Sequence, residues 1–229
     1  MNLEHERLYQ QLEAHIPASR LIHEPLRLVA YGNDASFYRL VPKLIVRVEN
    51  EQEIVKTLQL ANEHHVPVTF RAAGTSLSGQ SVTDSVLLML SGWQGCEINT
   101  DASKIRLQPG VIGEQANMRL APCARKIGPD PASISAAMIG GIAANNASGM
   151  CCGRAQNSYH TLAGMRIIFV DGTLLNTRDT ASRNTFERSH AALLERVSAL
   201  AARVKTTPAL VERIRHKYRL KNTTGYSLN

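Results

Sequence analysis

Arg71-Ala72-Ala73-Gly74-Thr75-Ser76-Leu77-Ser78-Gly79 is the stretch that decides how this chain is read. It follows Val66-Pro67-Val68-Thr69-Phe70, an apolar run that reads as a strand. Side-chain bulk then gives way to glycine, alanine and hydroxyls, which leaves backbone N–H groups open to close approach. A loop that wraps a phosphate needs this composition. A tight connection between two strands needs it equally, so the loop alone leaves both readings open. It is not a nucleoside-triphosphate loop, because Gly-Lys-Ser/Thr is absent. It also lacks GxGxxG spacing with an acid about twenty positions on, which disfavours a doubly wound dinucleotide fold. The hydroxyls of Thr75, Ser76 and Ser78 can donate to anionic oxygens. Arg71 can add charge there, or it can end in a surface ion pair.

A second stretch has the same character: Gly140-Gly141-Ile142-Ala143-Ala144-Asn145-Asn146-Ala147-Ser148-Gly149. Its small side chains admit a flat or extended ligand, and Asn145 and Asn146 supply amide donors. Close packing of a helix would use the same residues. Pro129-Asp130-Pro131 stiffens the approach to it. Two such cradles in one chain suggest a pyrophosphate held between them.

Outward from these loops the chain alternates strand and helix. Leu44-Ile45-Val46-Arg47-Val48 is a β-branched strand, and Asn50 with Glu51 and Glu53 caps a helix carrying Ile54, Leu58 and Ala61. That helix ends near His64-His65, so the first loop closes a unit close to a βαβ. Ser85 to Leu90 is a buried strand. Cys96–Asn99 and Ile105–Gln108 alternate as half-buried antiparallel strands around the turn 100–103. Ile112 to Leu120 reads as a helix, and Ile134 to Ala147 as a small-residue helix. Met165 to Val170 is a strand closed by Asp171-Gly172-Thr173, a preferred hairpin turn. At the start, Leu8, Leu12 and Ile16 form a helical stripe ending at Pro17, and Asn33-Asp34-Ala35-Ser36 is a turn or cap. Ser189 to Lys217 is helical with an interruption near Pro208.

Composition narrows the function classes. The 229 residues suffice for one domain or two small lobes, and the apolar and charged shares, 44% and 20%, are ordinary for a globular chain. Aromatics make up only 5%, which argues against a base-stacking surface, and no nucleic acid is expected as partner. The net charge of +7 is scattered, with many basic residues between Arg183 and Lys221 on what reads as a solvated helix face. Cys96, Cys123, Cys151 and Cys152 show no metal-binding spacing; Cys151 and Cys152 read as buried small hydrophobes, and free thiols imply a reducing cytosol. His64, His65 and His160 are the candidate bases or ligands. Neither HExxH nor a Ser-His-Asp order supports a hydrolase.

Val68 through Gly79, with the strand to Leu90, resembles the first flavin-binding segment of FAD-linked oxidases, the vanillyl-alcohol oxidase and p-cresol methylhydroxylase group. Gly128-Pro129-Asp130-Pro131-Ala132-Ser133 through Ile139-Gly140-Gly141 to Ser148-Gly149 resembles the second, and Asp171-Gly172-Thr173 matches the hairpin that follows. The resemblance spans roughly Asn33 to Leu175. Ala-Gly-Thr-Ser-Leu-Ser-Gly and Met150-Cys151-Cys152-Gly153 look most like bacterial D-lactate dehydrogenases that couple FAD to an iron–sulfur domain. Glycolate oxidase and D-2-hydroxyglutarate dehydrogenase are close relatives of those.

The resemblance implies an α+β fold, a two-lobed FAD-binding domain of the p-cresol methylhydroxylase type. A small β-α-β lobe at about 33–92 would face a larger mixed or antiparallel-sheet lobe with helices at about 93–180. A helical segment, 1–32, would precede them, and 181–229 would lead to a substrate domain outside this chain. Arg71, Ala73, Gly74, Thr75, Ser76, Leu77, Gly79 and Gln80 would form the first cradle, with the backbone of Ala73–Ser76 and Gly79 on the pyrophosphate. Pro129, Ser133, Ile139, Gly140, Gly141, Asn145, Ser148 and Gly149 would line the cofactor, and Ile168 would sit on the adenine side. No histidine occupies the position used for covalent attachment in some relatives, which implies noncovalent FAD. Ile142 departs from the Asn that relatives often carry after the glycine pair. The substrate-orienting arginine, the catalytic histidines and the iron–sulfur ligands would lie beyond Asn229. The implied substrate is a D-2-hydroxy acid, D-lactate first, with electrons leaving to a quinone or cytochrome. The implied location is the cytoplasm, or its membrane's inner face as a peripheral protein.

Overall fold

Strand β2 (Leu44–Arg47) sends Leu44 and Val46 to one face and Ile45 to the other, and all three are fully buried. A strand of this pattern needs cover on both sides, and the chain supplies it. The computed structural model describes residues 2–149, 151, 153 and 155–219. In it a four-stranded sheet runs in the order β1 (Leu21–Ile22), β2, β4 (Val86–Met89), β3 (Val68–Arg71). β1 is antiparallel to β2, while β2 and β3 lie parallel to β4, with Leu44 and Val68 both level with Val86.

Helices α1 (Leu3–Leu12) and α3 (Glu51–Glu63) cover one face. Leu8, Leu12, Ile54, Leu58 and Ala61 meet Leu44, Val46, Val86 and Leu88 in the larger apolar cluster. On the opposite face α2 (Pro25–Ala30) lays Leu28 over Ile22, Ile45 and Leu87. Asn50 caps α3 by accepting from the Glu53 N–H at 3.0 Å, as its position before two acids dictates. Glu53 in turn takes a fork from Arg20, Nη2 to Oε1 at 2.7 Å and Nη1 to Oε2 at 2.8 Å, and so ties the approach to β1 onto α3.

The second half is built from hairpins and helices. β5 (Cys96–Ile98) pairs with β6 (Ile105–Leu107), and β7 (Arg166–Ile168) pairs with β8 (Leu174–Asn176). Between them lie α4 (Gly113–Leu120), α5 (Ile139–Ala144) and α6 (Ser158–Thr161). The last helices are α7 (Thr180–Ser189), α8 (Ala191–Lys205) and α9 (Pro208–Lys217), with the break before Pro208 where the sequence places it. The fold is α+β with mixed parallel and antiparallel pairing, as expected.

Several boundaries differ from the sequence reading. The strand before the first loop starts at Val68, because Pro67 has no N–H to give a ladder. Only Ile139–Ala144 of the span 134–147 is helical; Ser133 and Pro131 carbonyls instead hold the preceding residues in turns. β1 and α2 have no counterpart in the sequence pattern. Both are too short for a periodic pattern, at 2 and 6 residues. Cys152 and the segment 220–229 lie outside the described residues. Cys151 is exposed, which corrects the reading of it as a buried hydrophobe.

Candidate functional site

The first loop leaves the carboxyl end of β3 and returns into the amino end of β4, its parallel neighbour. Sheets of this kind bind ligands outside the carboxyl ends of their strands. Gly79 holds φ +68°, and a Cβ there would lie 2.7 Å from the Tyr38 ring. The positive φ is what makes glycine the residue for this turn. From Ala72 to Leu77 no backbone N–H meets an acceptor among the described residues. A run of N–H groups left open on a half-buried loop is what an anion's oxygens would use. Leu77 and Gln80 are exposed on its outer side, and the Ser76 hydroxyl donates to the Gln80 side chain at 3.1 Å.

Arg71 is turned inward. It is 5% exposed, and its Nε and Nη2 donate to the Ser81 carbonyl while Nη1 donates to the Tyr31 carbonyl at 2.9 Å. Burial lowers its pKa from the ordinary arginine value and the Asp34 carboxylate pulls the other way; a guanidinium stays charged regardless. Its donors close the mouth of the loop by gripping backbone on both sides.

The second stretch is stitched to the chain before α4. Ile139 N–H donates to the Val111 carbonyl at 2.8 Å and Gly140 N–H to that of Pro109 at 2.9 Å. Gly141 then faces the first loop, where a Cβ on it would lie 3.7 Å from the Ala72 Cβ. The two small-residue stretches thus meet, which neither could show alone. Gly149 packs flush on Asp130, where a Cβ would lie 1.7 Å from its carbonyl oxygen, and Pro129 beside it is buried. The side chains of Ser133, Asn145 and Ser148 make no hydrogen bond among the described residues. Ile142 is buried and directed at Gly113, so its side chain serves packing. Ile168 packs against the α1–α3 cluster.

Ser158 was missed by sequence reading. Its hydroxyl reaches the Ile142 carbonyl at 3.1 Å and that of Ala147 at 2.9 Å, fixing the exit of α5. Asn157 caps α6 through the His160 N–H, and an Asn before Ser was its only signal. His65 and His160 are exposed, and His64 bonds Gln11, so none of these histidines enters the cradle. Among the described residues no group of His, Cys, Asp or Glu could hold a metal ion. A cavity of about 560 Å³ opens at the opposite, amino end of the strands, lined by Lys43, His5, His64 and Ser85. Its walls mix both charge signs and it lies away from the loop, so the cradle is the better candidate.

The FAD binding domain model matches residues 42–178. The chain belongs to this family. FAD is accordingly its cofactor, and the open N–H run beside Gly141 fits a pyrophosphate. The glycolate oxidase subunit GlcD of Escherichia coli (strain K12) is 32% identical over 72% of this chain and 34% of its own length. D-2-hydroxyglutarate dehydrogenase of Haemophilus influenzae is 28% identical over 69% of the chain and 16% of that protein. The FAD-binding domain thus spans about a third or less of the curated relatives it matches. Among solved structures, p-cresol methylhydroxylase with substrate bound superposes with TM-score 0.64 at 15% identity, over 77% of this chain and 36% of that one. Alkyldihydroxyacetonephosphate synthase does so with TM-score 0.66 at 18% identity, over 75% and 36%. These likenesses establish the fold.

Proposed function

We propose that this chain is the FAD-binding part of a flavoprotein dehydrogenase that oxidises a D-2-hydroxy acid, D-lactate first among them. The observation that carries the reading is the meeting of Gly141 with the Ala72–Leu77 backbone, whose N–H groups have no acceptor among the described residues. Those N–H groups, with Gly79, receive the pyrophosphate. Gly140, Gly141 and Gly149 bring backbone close to the cofactor, while Pro129 stiffens the wall. Ser133, Asn145 and Ser148 offer side-chain donors along it. Arg71 shapes the loop and lends a buried positive charge near the anion. Thr75, Ser76, Leu77, Gln80, Ile139 and Ile168 complete the set. Bound there, FAD would supply the acceptor for the hydrogen at Cα of the substrate.

Glycolate and D-2-hydroxyglutarate are the competing substrates, because relatives named for both match this chain. Electrons would pass to an iron–sulfur domain outside this chain and on to a quinone or cytochrome. Among the described residues no helix is long and apolar enough to cross a membrane; a cytoplasmic location, or a peripheral one at the membrane's inner face, is part of this reading. A flavin-binding module without catalysis is the second reading.

Titration of the purified chain with FAD should shift the flavin absorbance and quench its fluorescence; an unchanged spectrum in a folded sample would sink the cofactor assignment. A longer protein carrying the downstream domains should then reduce an artificial acceptor with D-lactate. Turnover with glycolate or D-2-hydroxyglutarate alone would move the substrate, and silence toward every D-2-hydroxy acid would leave only the module.

A further inference from the structure

Asp34 stands outside the sequence-derived site, yet it touches each part of the first loop's frame. Its Oδ1 accepts from the Ser36 N–H at 2.8 Å, which closes an Asx turn, and its Oδ2 accepts from the Ser81 hydroxyl at 3.0 Å. The turn so formed presents the Ala35 N–H to the Gly74 carbonyl at 3.0 Å. Arg71, gripping the Ser81 and Tyr31 carbonyls, joins the same two chain segments from below. The 72–81 loop is thus clamped at its middle by Ala35 and at its end by Ser81, and both clamps lead to one carboxylate.

We propose that Asp34 is the positioning residue of the pyrophosphate cradle: through Ser81 and the Ala35 turn it holds the Ala72–Leu77 backbone in its anion-receiving form. This rests on the cofactor reading above. The carboxylate faces the Ser81 hydroxyl and the Ser36 N–H, so its charge is spent on the frame and is not aimed at the open N–H run. Arg71, buried beside Asp34, balances it. A frame built in advance spares the ligand the ordering of the loop, which is where such a residue contributes affinity without touching the ligand.

The test is FAD and ADP affinity of the chain by calorimetry, beside the unfolding midpoint without ligand. Asp34→Ala should weaken both ligands by about tenfold to a hundredfold, while its unfolding midpoint stays within a few degrees of the parent. ADP carries the pyrophosphate without the flavin, so a parallel loss places the effect at the cradle. Asp34→Asn keeps the Oδ1 acceptor and should recover most of the affinity, a rescue that nonspecific loosening would not give. Parent-like binding by Asp34→Ala overturns the positioning role and leaves the FAD assignment standing. A parent chain that binds neither ligand overturns both. Should Asp34→Ala fail to fold, Ser81→Ala removes only the hydroxyl link: weakened binding supports the proposal, and parent-like binding sinks it.

Discussion

Gly149 and Gly79 both belong to the cradle, yet a methyl group meets them differently. On Gly149 it would press a backbone carbonyl oxygen at 1.7 Å, which cannot swing aside. Gly149→Ala should therefore cost about 3 kcal/mol and lower the unfolding midpoint by roughly 6–12 °C. On Gly79 it would meet the ring of Tyr38, a side chain 61% exposed and free to turn. The remaining cost is the left-handed backbone, about 1 kcal/mol, so thermal melts of the two variants should differ clearly; equal losses would contradict this assignment of strain. Glu53 offers a pH test. Burial acts to raise its pKa, but the Arg20 hydrogen bonds and charge, the Glu49 N–H and Asn50 together outweigh burial and hold it below the ordinary carboxylate value. A lowered folded-state pKa means stability present above the unfolded value of about 4.3 and lost as pH falls through the folded value. Glu53→Gln should thus lose about 2 kcal/mol at pH 7, and the gap to the parent in urea midpoints should close below about pH 4. A gap as wide at pH 3 would mean the charge is not what matters. Residue-level reading from sequence reaches the glycines and hydroxyls of the cradle, because close approach constrains composition locally. It does not reach the link from Asp34 to Ser81, 47 positions apart, since no spacing rule connects a turn to a distant hydroxyl.

Helix α3 works as a two-sided element. Its apolar side, Ile54, Leu58 and Ala61, is set by helical periodicity and is legible in the sequence. Its outer side carries the β7–β8 hairpin: Arg166 Nε donates to Glu51 Oε1 at 2.6 Å, and the Asn62 side chain donates to the Val170 carbonyl at 2.6 Å. Neither contact is legible, because polar residues on an exposed helix face look alike whether solvated or engaged. Asn62→Ala should speed amide exchange at Phe169 and Gly172 in the hairpin turn several-fold while leaving α3 itself protected. Unchanged exchange there would show the hairpin to be held by its own ladder. The hairpin itself is readable from Asp171-Gly172, and Asp171 indeed accepts from the Thr173 N–H at 2.9 Å. The short β1 and α2 carry no such mark; tertiary contact with Ile45 and Leu87 decides them.

Across the whole molecule, burial is uneven. Five residues of α3 are buried and none of α8, whose Leu193, Val197 and Leu200 stand exposed. Hydrogen exchange should accordingly rank α8 amides among the first to exchange and those of α3 and β4 among the last; the reverse order would contradict the packing described. The class of fold is legible because a β-α-β pattern and two glycine stretches recur in a fixed order. The placement of the two hairpins is not, since each pairs only within itself. The connection between β3 and β4 deserves a last thought. Parallel neighbours are usually joined by a helix, because the chain must travel back along the sheet before it can pair again. Here residues 72–85 make that return without one. The ligand seat is therefore also the tether that sets strand register, and a deletion meant only to abolish binding would unhitch the central strand from its edge.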